Sequence, residues 1–324
     1  MSDTRPIVVV TRQLPAPVER HAAGLFDVRL NATDTPLTAE QLGEAMRTAD
    51  ALLPTVTDAI TAAILGISPR RVRIVANFGV GYNNIDVATA RSLGIVVTNT
   101  PDVLTDDTAD LAMTLMLMAA RRAGEGERLV RAGAWTGWRP THMLGTRVSG
   151  KTLGILGLGR IGRAVAKRAS DGFGMRVIYF DPPVPIGEAR ACGASPRESI
   201  EDVLRESDFV SLHMPASPEN RHLMNADRLA IMPRHAILIN TARGDVIDEA
   251  ALTVALERGT ITAAALDVFE REPAVNPALT KLENVVLLPH LGSATTEARV
   301  AMGERALTNL ETFFSGTPPR DRVA

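Results

Sequence analysis

The sequence predicts an α/β protein of two doubly wound parallel-sheet domains, one inserted into the other. Three observations predict it. Short apolar runs alternate with helical segments along most of the chain, the pattern of parallel sheets covered on both faces. A Gly157-x-Gly159-x-x-Gly162 stretch lies between a strand pattern and a helix pattern, well inside the chain. A complete strand–helix series precedes it and a lone amphipathic stretch follows it. At 324 residues the chain is long enough for two cores.

In the first part, residues 7–10, 28–30, 51–53, 74–76 and 95–97 are short apolar runs with helical segments in several of the gaps. Thr38-x-x-Gln41 has the form of a capping box, and Asp86 is placed to cap a helix that stops at Gly94. Residues 77–84 leave the fourth strand with two glycines two apart. Ligands bind beyond the carboxyl ends of parallel strands, and Gly79 and Gly81 would let backbone N–H groups face an anion. The same stretch also reads simply as a turn.

Residues 99–102 break the pattern, with Pro101 a candidate hinge. A helix over about 105–122 has almost no polar face and is expected to be buried on most sides, between domains or at a subunit interface. Residues 123–150, rich in Gly and Arg and carrying Trp135 and Trp138, read as an extended arm.

Leu153, Ile155 and Leu156 then form a short strand, and helical spacing begins at Ile161. Gly157 suits the tight turn, Gly159 lets backbone approach a pyrophosphate, and Gly162 lets the helix lie close on the strand; Arg160 and Ile161 complete the turn. A second strand, 175–180, ends in Asp181, 19 residues beyond Gly162, where a carboxylate would accept hydrogen bonds from an adenosine ribose. This is a dinucleotide-binding fingerprint, hence a Rossmann cofactor domain. Residues 209–212, 236–239, 263–266 and 285–288 bring its strands to six, with one intervening helix capped by Asp248 and closed by Gly259. The amphipathic stretch 296–314 has no strand partner and is expected to pack back on the first, flavodoxin-like domain. The expected boundaries are 1–100 for the first part of the substrate domain, 101–291 for the NAD-binding domain, and 292–324 for the returning helix.

Composition removes several classes of function. A net charge of −2 gives no footprint for nucleic acid or an anionic membrane. The longest apolar run falls short of a membrane span, and the N-terminal one is too brief for a signal peptide, so a cytoplasmic location is expected. One cysteine, Cys192, excludes an internal disulfide and any multi-cysteine metal site, and no metal is expected.

The chemistry-bearing residues follow successive strands of the cofactor domain. Arg243 follows one, Asp267 and Glu272 the next, and His290, between Pro289 and Gly292, the last. With the cofactor domain inserted in another, such strand ends are expected to face the interdomain cleft. A guanidinium can hold a carboxylate and polarise a carbonyl, an imidazolium can donate a proton, and a glutamate can hold it protonated. That set suits reduction of a 2-oxo acid. Spacing alone leaves Arg243 readable as a solvated loop charge and Glu272 as part of a surface run, while His21, His142, His222 and His235 show no constellation.

The chain resembles the D-isomer-specific 2-hydroxyacid dehydrogenase family, near its glyoxylate/hydroxypyruvate reductase branch. The resemblance runs through residues 77–86, 99–101, 108–110, 154–162, 212–215, 240–244, 265–269 and 289–292. It implies an NAD-dependent enzyme with Arg243, Glu272 and His290 as catalytic residues. It further implies that Val80 and Gly81 supply amides to the substrate carboxylate, with Leu53 to Thr55 lining the pocket. Thr108, Ala242 and Asp267 would contact nicotinamide, with His213 near the cofactor. A homodimer is implied too, with the 123–150 arm reaching the partner and Trp138 resembling a tryptophan that some relatives insert into the neighbouring active site. NADP-preferring reductases of this branch carry basic or small residues after the second strand; Asp181-Pro-Pro183 departs from that and points to NAD. NADH-sensing corepressors of the same family carry extra tails, for which the ten residues after Phe314 leave no room. Phosphite dehydrogenases share the fold and remain an alternative, whereas formate dehydrogenases use glutamine in place of the glutamate.

Overall fold

The structure, a computed structural model, describes residues 5–324. The chain divides into two compact units, Met1–Leu104 with Ser293–Ala324, and Thr105–Gly292.

The first unit contains β1 (Ile7–Val10), α1 (Ala16–Leu25), β2 (Asp27–Arg29), α2 (Ala39–Thr48), β3 (Ala51–Leu53), α3 (Ala62–Leu65), β4 (Ile74–Ala76), α4 (Val87–Ser92) and β5 (Val96–Thr98). The strands are all parallel in the order β2-β1-β3-β4-β5, the flavodoxin-like arrangement. Its helix starts are fixed by side chains. Thr38 and Gln41 form a reciprocal capping box at α2, and the Thr89 N–H donates to Asp86 Oδ1 (2.8 Å) at α4. The continuous apolar runs are buried on both faces, as parallel central strands must be.

In the second unit, α5 (Thr105–Ala120) and α6 (Ala123–Arg131) precede β6 (Thr152–Leu156), α7 (Arg160–Lys167) and β7 (Arg176–Phe180). Then come α8 (Ile186–Ala191), β8 (Ala194–Pro196), α9 (Ile200–Glu206), β9 (Phe209–Leu212), α10 (Ala226–Ile231), β10 (Ile237–Asn240), α11 (Glu249–Glu257), β11 (Ala263–Leu266) and β12 (Val285–Leu287). The parallel sheet runs β12-β11-β10-β9-β6-β7-β8, so its direction of winding reverses between β6 and β9, as in the Rossmann fold.

Two expectations are corrected. The sheet has seven strands, not six: β8 is a three-residue edge strand ending in Pro196, which is where a sheet tolerates proline. The 123–150 segment is not extended throughout, because its first nine residues form α6. That helix buries none of its residues and is held by surface pairs such as Arg122–Glu125 (2.7 Å) and Glu127–Arg131, so no apolar stripe announces it. Helix α5 ends at Ala120, before Arg122 in a left-handed conformation, and packs on α7, β10 and β11 within its own unit.

The last helix, α12 (Thr296–Phe314), lies on α1 and β4 of the first unit. Beyond it the tail runs beside β5, where the Val323 N–H donates to Val97 O (2.8 Å), and so covers that sheet's free edge. A Cβ on Gly303 of α12 would sit 2.5 Å from Val18 Cγ1 and 3.0 Å from its Cβ. Val18 is fully buried and β-branched, so rotation cannot relieve that contact. Gly303→Ala should therefore lower the melting temperature, an overpacking cost of ~1–3 kcal/mol exceeding the gain in helix propensity of ~1 kcal/mol. Gly24→Ala in α1, with nothing within 4 Å, should leave it unchanged or raise it.

Candidate active site

At the reversal point of the second unit, β6 ends and Gly157 turns the chain with φ +90°. A Cβ there would lie 2.8 Å from Met214 N and 2.9 Å from His213 C, so the loop after β6 rests directly on the backbone leaving β9. Gly162 brings α7 equally close, since its Cβ would meet Gly157 O at 2.3 Å. At Gly159, the N-cap of α7, no protein atom lies within 4 Å of a Cβ. Glycine there leaves a bare cradle before the N-terminus of α7, which fits a pyrophosphate. Arg160 and Ile161 open the helix, and Asp181 follows β7 with one carboxylate oxygen accepting the Leu158 N–H (2.8 Å). His213, beside the loop, pairs its Nε2 with Ser211 Oγ (2.8 Å). Burial pushes this imidazole down to about 4, so it is neutral at physiological pH.

The ends of β10, β11 and β12 are neighbours, and the three loops that follow are tied to one another. Asn240 shapes the first, its Nδ2 donating to Arg243 O (2.8 Å) and its Oδ1 accepting from the Ala242 N–H (2.9 Å). Burial lowers the pKa of Arg243, and the Glu272 and Asp245 carboxylates oppose that and support its charge. A Cβ on Gly244 would fall 1.8 Å from Phe269 C; the arginine loop lies backbone to backbone against the glutamate loop.

Glu272 accepts the Phe269 N–H on Oε1 (3.0 Å) and pairs through Oε2 with His290 Nδ1 (2.8 Å). Burial alone would raise its pKa, but the hydrogen bond and charge of His290 outweigh burial and hold the carboxyl below its usual range. With Nδ1 engaged, Nε2 is the ring nitrogen left to exchange a proton. His290 has φ +57°, uncommon for a residue with a side chain. Asp267 enforces it. Its carbonyl accepts the His290 N–H (2.8 Å), and its carboxylate accepts those of Leu291 (2.7 Å) and Gly292 (2.8 Å). Thr108 Oγ1 closes the loop by donating to Gly292 O (2.9 Å).

Sequence reasoning missed Glu249, buried at the start of α11, whose carboxylate accepts the Glu270 N–H (2.8 Å) and so anchors the segment ahead of Glu272. In sequence it reads only as an acidic first-turn residue. His222, given no role, pairs with Glu270. Cys192 is buried, burial pushes its thiol up, and it donates to Ala189 O (3.1 Å), which suits packing rather than nucleophilic chemistry.

In the first unit, Val80 and Gly81 lie in the loop after β4, and Leu53 is the fully buried last residue of β3. Gly79 is demanded by Val56, whose Cγ1 would be 2.5 Å from a Cβ. Trp138 belongs to the segment after α6 and is 81% exposed; Trp135 and Leu144 are exposed in the same segment. Among the described residues no group of three or more His, Cys, Asp or Glu could hold a metal ion, and no helix is long and apolar enough to cross a membrane.

The family described as D-isomer specific 2-hydroxyacid dehydrogenase, NAD binding domain, matches residues 113–292. A glyoxylate reductase of Thermococcus kodakarensis is 46% identical over 319 residues, covering 97% of this chain and 95% of the relative. Among solved structures, a putative D-isomer specific 2-hydroxyacid dehydrogenase from Polaromonas sp. superposes with a TM-score of 0.92 at 39% identity, covering 99% of this chain and 100% of that one. An NADPH-dependent glyoxylate/hydroxypyruvate reductase from Sinorhizobium meliloti, in complex with NADP and malonate, gives 0.88 at 35% identity, covering 99% and 97%.

The cradle makes a direct test available. Gly157→Ala places a side chain at positive φ, costing ~1–2 kcal/mol before the clash with the residues after β9 is counted. Dinucleotide affinity, read by fluorescence titration, should fall by at least ~10-fold. Gly187→Ala, in open space on α8, should leave it unchanged.

Proposed function

The chain belongs to the D-isomer specific 2-hydroxyacid dehydrogenase family, and we propose that it reduces a small 2-oxo acid, glyoxylate or hydroxypyruvate, to the D-2-hydroxy acid with NADH. The observation that carries this reading is the His290–Glu272 pair at 2.8 Å, with the Arg243 charge acting on the same carboxylate. A nicotinamide dinucleotide, when bound at the glycine loop, supplies or accepts the hydride. Arg243 holds the substrate carboxylate and polarises the carbonyl through its planar fork. His290 Nε2 delivers the proton to the carbonyl oxygen in reduction and removes it in oxidation, and Glu272, ionised over the working range, favours the protonated ring. Val80 and Gly81 offer amides to the substrate carboxylate, and Leu53 is a further substrate-binding residue of the first unit. Thr108, Ala242, His213 and Asp267 form the nicotinamide end. The enzyme acts as a cytoplasmic homodimer, the exposed tryptophans of the arm supporting a reading in which Trp138 reaches the partner.

The assignment to NAD rests on Asp181. A carboxylate fixed against the glycine loop accepts from ribose hydroxyls and repels a 2′-phosphate. Initial rates with glyoxylate, hydroxypyruvate, pyruvate and phenylpyruvate, each with NADH and NADPH, test the activity and the cofactor together. The expected result is a higher kcat/KM with NADH than with NADPH, greatest on glyoxylate and hydroxypyruvate, and a narrowed cofactor preference in Asp181→Ser. Equal or better kcat/KM with NADPH would refute the cofactor assignment.

Glu272→Gln keeps size and hydrogen bonding but removes the charge paired with His290. In that variant kcat/KM for the oxo acid should fall by ~10²-fold, with KM for NADH within ~2-fold of the parent. A kcat/KM unchanged in the folded variant would remove Glu272 from the proton-handling pair.

A further inference from the structure

We propose that the C-terminal segment, acting through Asp321, Asn309 and Asn99, aims the Val80 and Gly81 N–H groups at the substrate carboxylate, making Asn99 a positioning residue for substrate binding. This rests on the reading of those two amides given above. A trans peptide is planar, so each N–H points opposite the carbonyl of the residue before it. Whatever holds Gly79 O therefore directs the Val80 N–H, and whatever holds Val80 O directs the Gly81 N–H. Gly79 O accepts the Thr100 N–H (3.0 Å), and Val80 O accepts Asn99 Nδ2 (2.8 Å). Gly81 O is taken by Asn77 Nδ2 (2.9 Å). Three successive carbonyls are thus fastened inward by donors, two of them from residues 99–100.

Asn99 is in turn held from the C-terminal segment. Its N–H donates to Asp321 O (3.2 Å) and its carbonyl accepts Asn309 Nδ2 (3.2 Å). Asn309 Nδ2 also reaches Asp321 Oδ2 (3.1 Å), and Arg305 grips the Asp321 carboxylate through Nε (2.5 Å) and Nη2 (2.8 Å). Asn99, Asn309 and Asp321 are all at least nine-tenths buried. The Val323 N–H to Val97 O and Asn99 N–H to Asp321 O bonds together cover the edge of β5 as one antiparallel bridge, and the side-chain bonds of Asn99, Asn309 and Asp321 are not needed for it. A half-buried ion pair such as Arg305–Asp321 is also weak as a device for stability alone. What the polar chain adds is direction: it fixes one amide side chain against one carbonyl of the loop.

In Asn99→Asp a carboxylate would face the Val80 carbonyl, so the Val80–Gly81 peptide should turn away and take the Gly81 N–H with it. The test compares the parent with Asn99→Asp, Asn309→Ser and Asp321→Asn, measuring KM for glyoxylate, the inhibition constant of the carboxylate-bearing analogue oxamate, KM for NADH, and kcat. The expected result is a rise of at least ~10-fold in both glyoxylate KM and oxamate inhibition constant for Asn99→Asp, and a smaller rise in the same two constants for the others. KM for NADH and kcat at saturation should stay within ~2-fold. A merely structural role would lower thermal stability and active fraction without moving the two carboxylate constants selectively. If Asn99→Asp does not fold, the two milder variants decide. Glyoxylate and oxamate constants unchanged in folded variants of an active parent overturn this inference and leave the activity standing; a parent that neither reduces a 2-oxo acid nor is inhibited by oxamate overturns both.

Discussion

The carboxylate of Asp267 is the contact on which the second unit's chemistry depends. It is buried at the end of β11 and takes two backbone N–H groups from the loop after β12, while its own carbonyl takes a third. Burial raises its pKa, and the N–H groups of Leu291 and Gly292 work against that rise. Three bonds from one residue hold a histidine at positive φ, a conformation that costs free energy and persists only where its surroundings over-determine it. Removing the carboxylate would let His290 relax into ordinary backbone space and lose its alignment with Glu272.

The parallel sheet supplies the rest of the convergence. β10, β11 and β12 are adjacent and co-directional, so three loops that are far apart in sequence emerge side by side. Proximity alone would leave them loosely related. Gly244 closes the remaining gap, because only a residue without a side chain lets the arginine loop lie on the backbone at Phe269 and Glu270. Glu249 then fastens the Glu270 N–H from the start of α11. Each chemistry-bearing side chain is therefore set by backbone contacts one or two residues away from it.

Much of this was legible in the sequence because it is written in local rules. The Thr38–Gln41 box, the Asp86 and Asp248 caps and the helix at Thr296–Phe314 all follow from short-range hydrogen bonding and 3.6-residue periodicity. The reversal point followed from three glycines and a strand-terminal aspartate. What was not legible depended on partners distant in sequence or on the absence of an apolar signal. β8 is too short and too proline-bound to look like a strand, and α6 has surface ion pairs instead of a buried stripe. Asn99 lies in the stretch that breaks the strand–helix pattern, yet its contact with Val80 and its tie to Asp321 join segments that no periodicity connects. The arrangement of Arg243, Glu272 and His290 could be guessed from strand order, but the 2.8 Å geometry of the pair and the backbone strain behind it could not.

The two units solve the same problem with opposite polarity. In the second, a carboxylate absorbs backbone N–H groups of the histidine loop, which consumes donors and fixes the backbone that carries the imidazole. In the first, amide side chains and one backbone N–H absorb the carbonyls of the Gly79–Gly81 loop, which consumes acceptors and turns the N–H groups that follow them the opposite way. Carbonyl oxygens facing an anion would repel its charge, so a loop with its carbonyls occupied in this way is compatible with one. Asparagine suits that second task as aspartate suits the first: Nδ2 donates to a carbonyl without bringing a net charge to the loop. The choice between Asp and Asn at these anchors follows from which backbone group the chemistry must keep available.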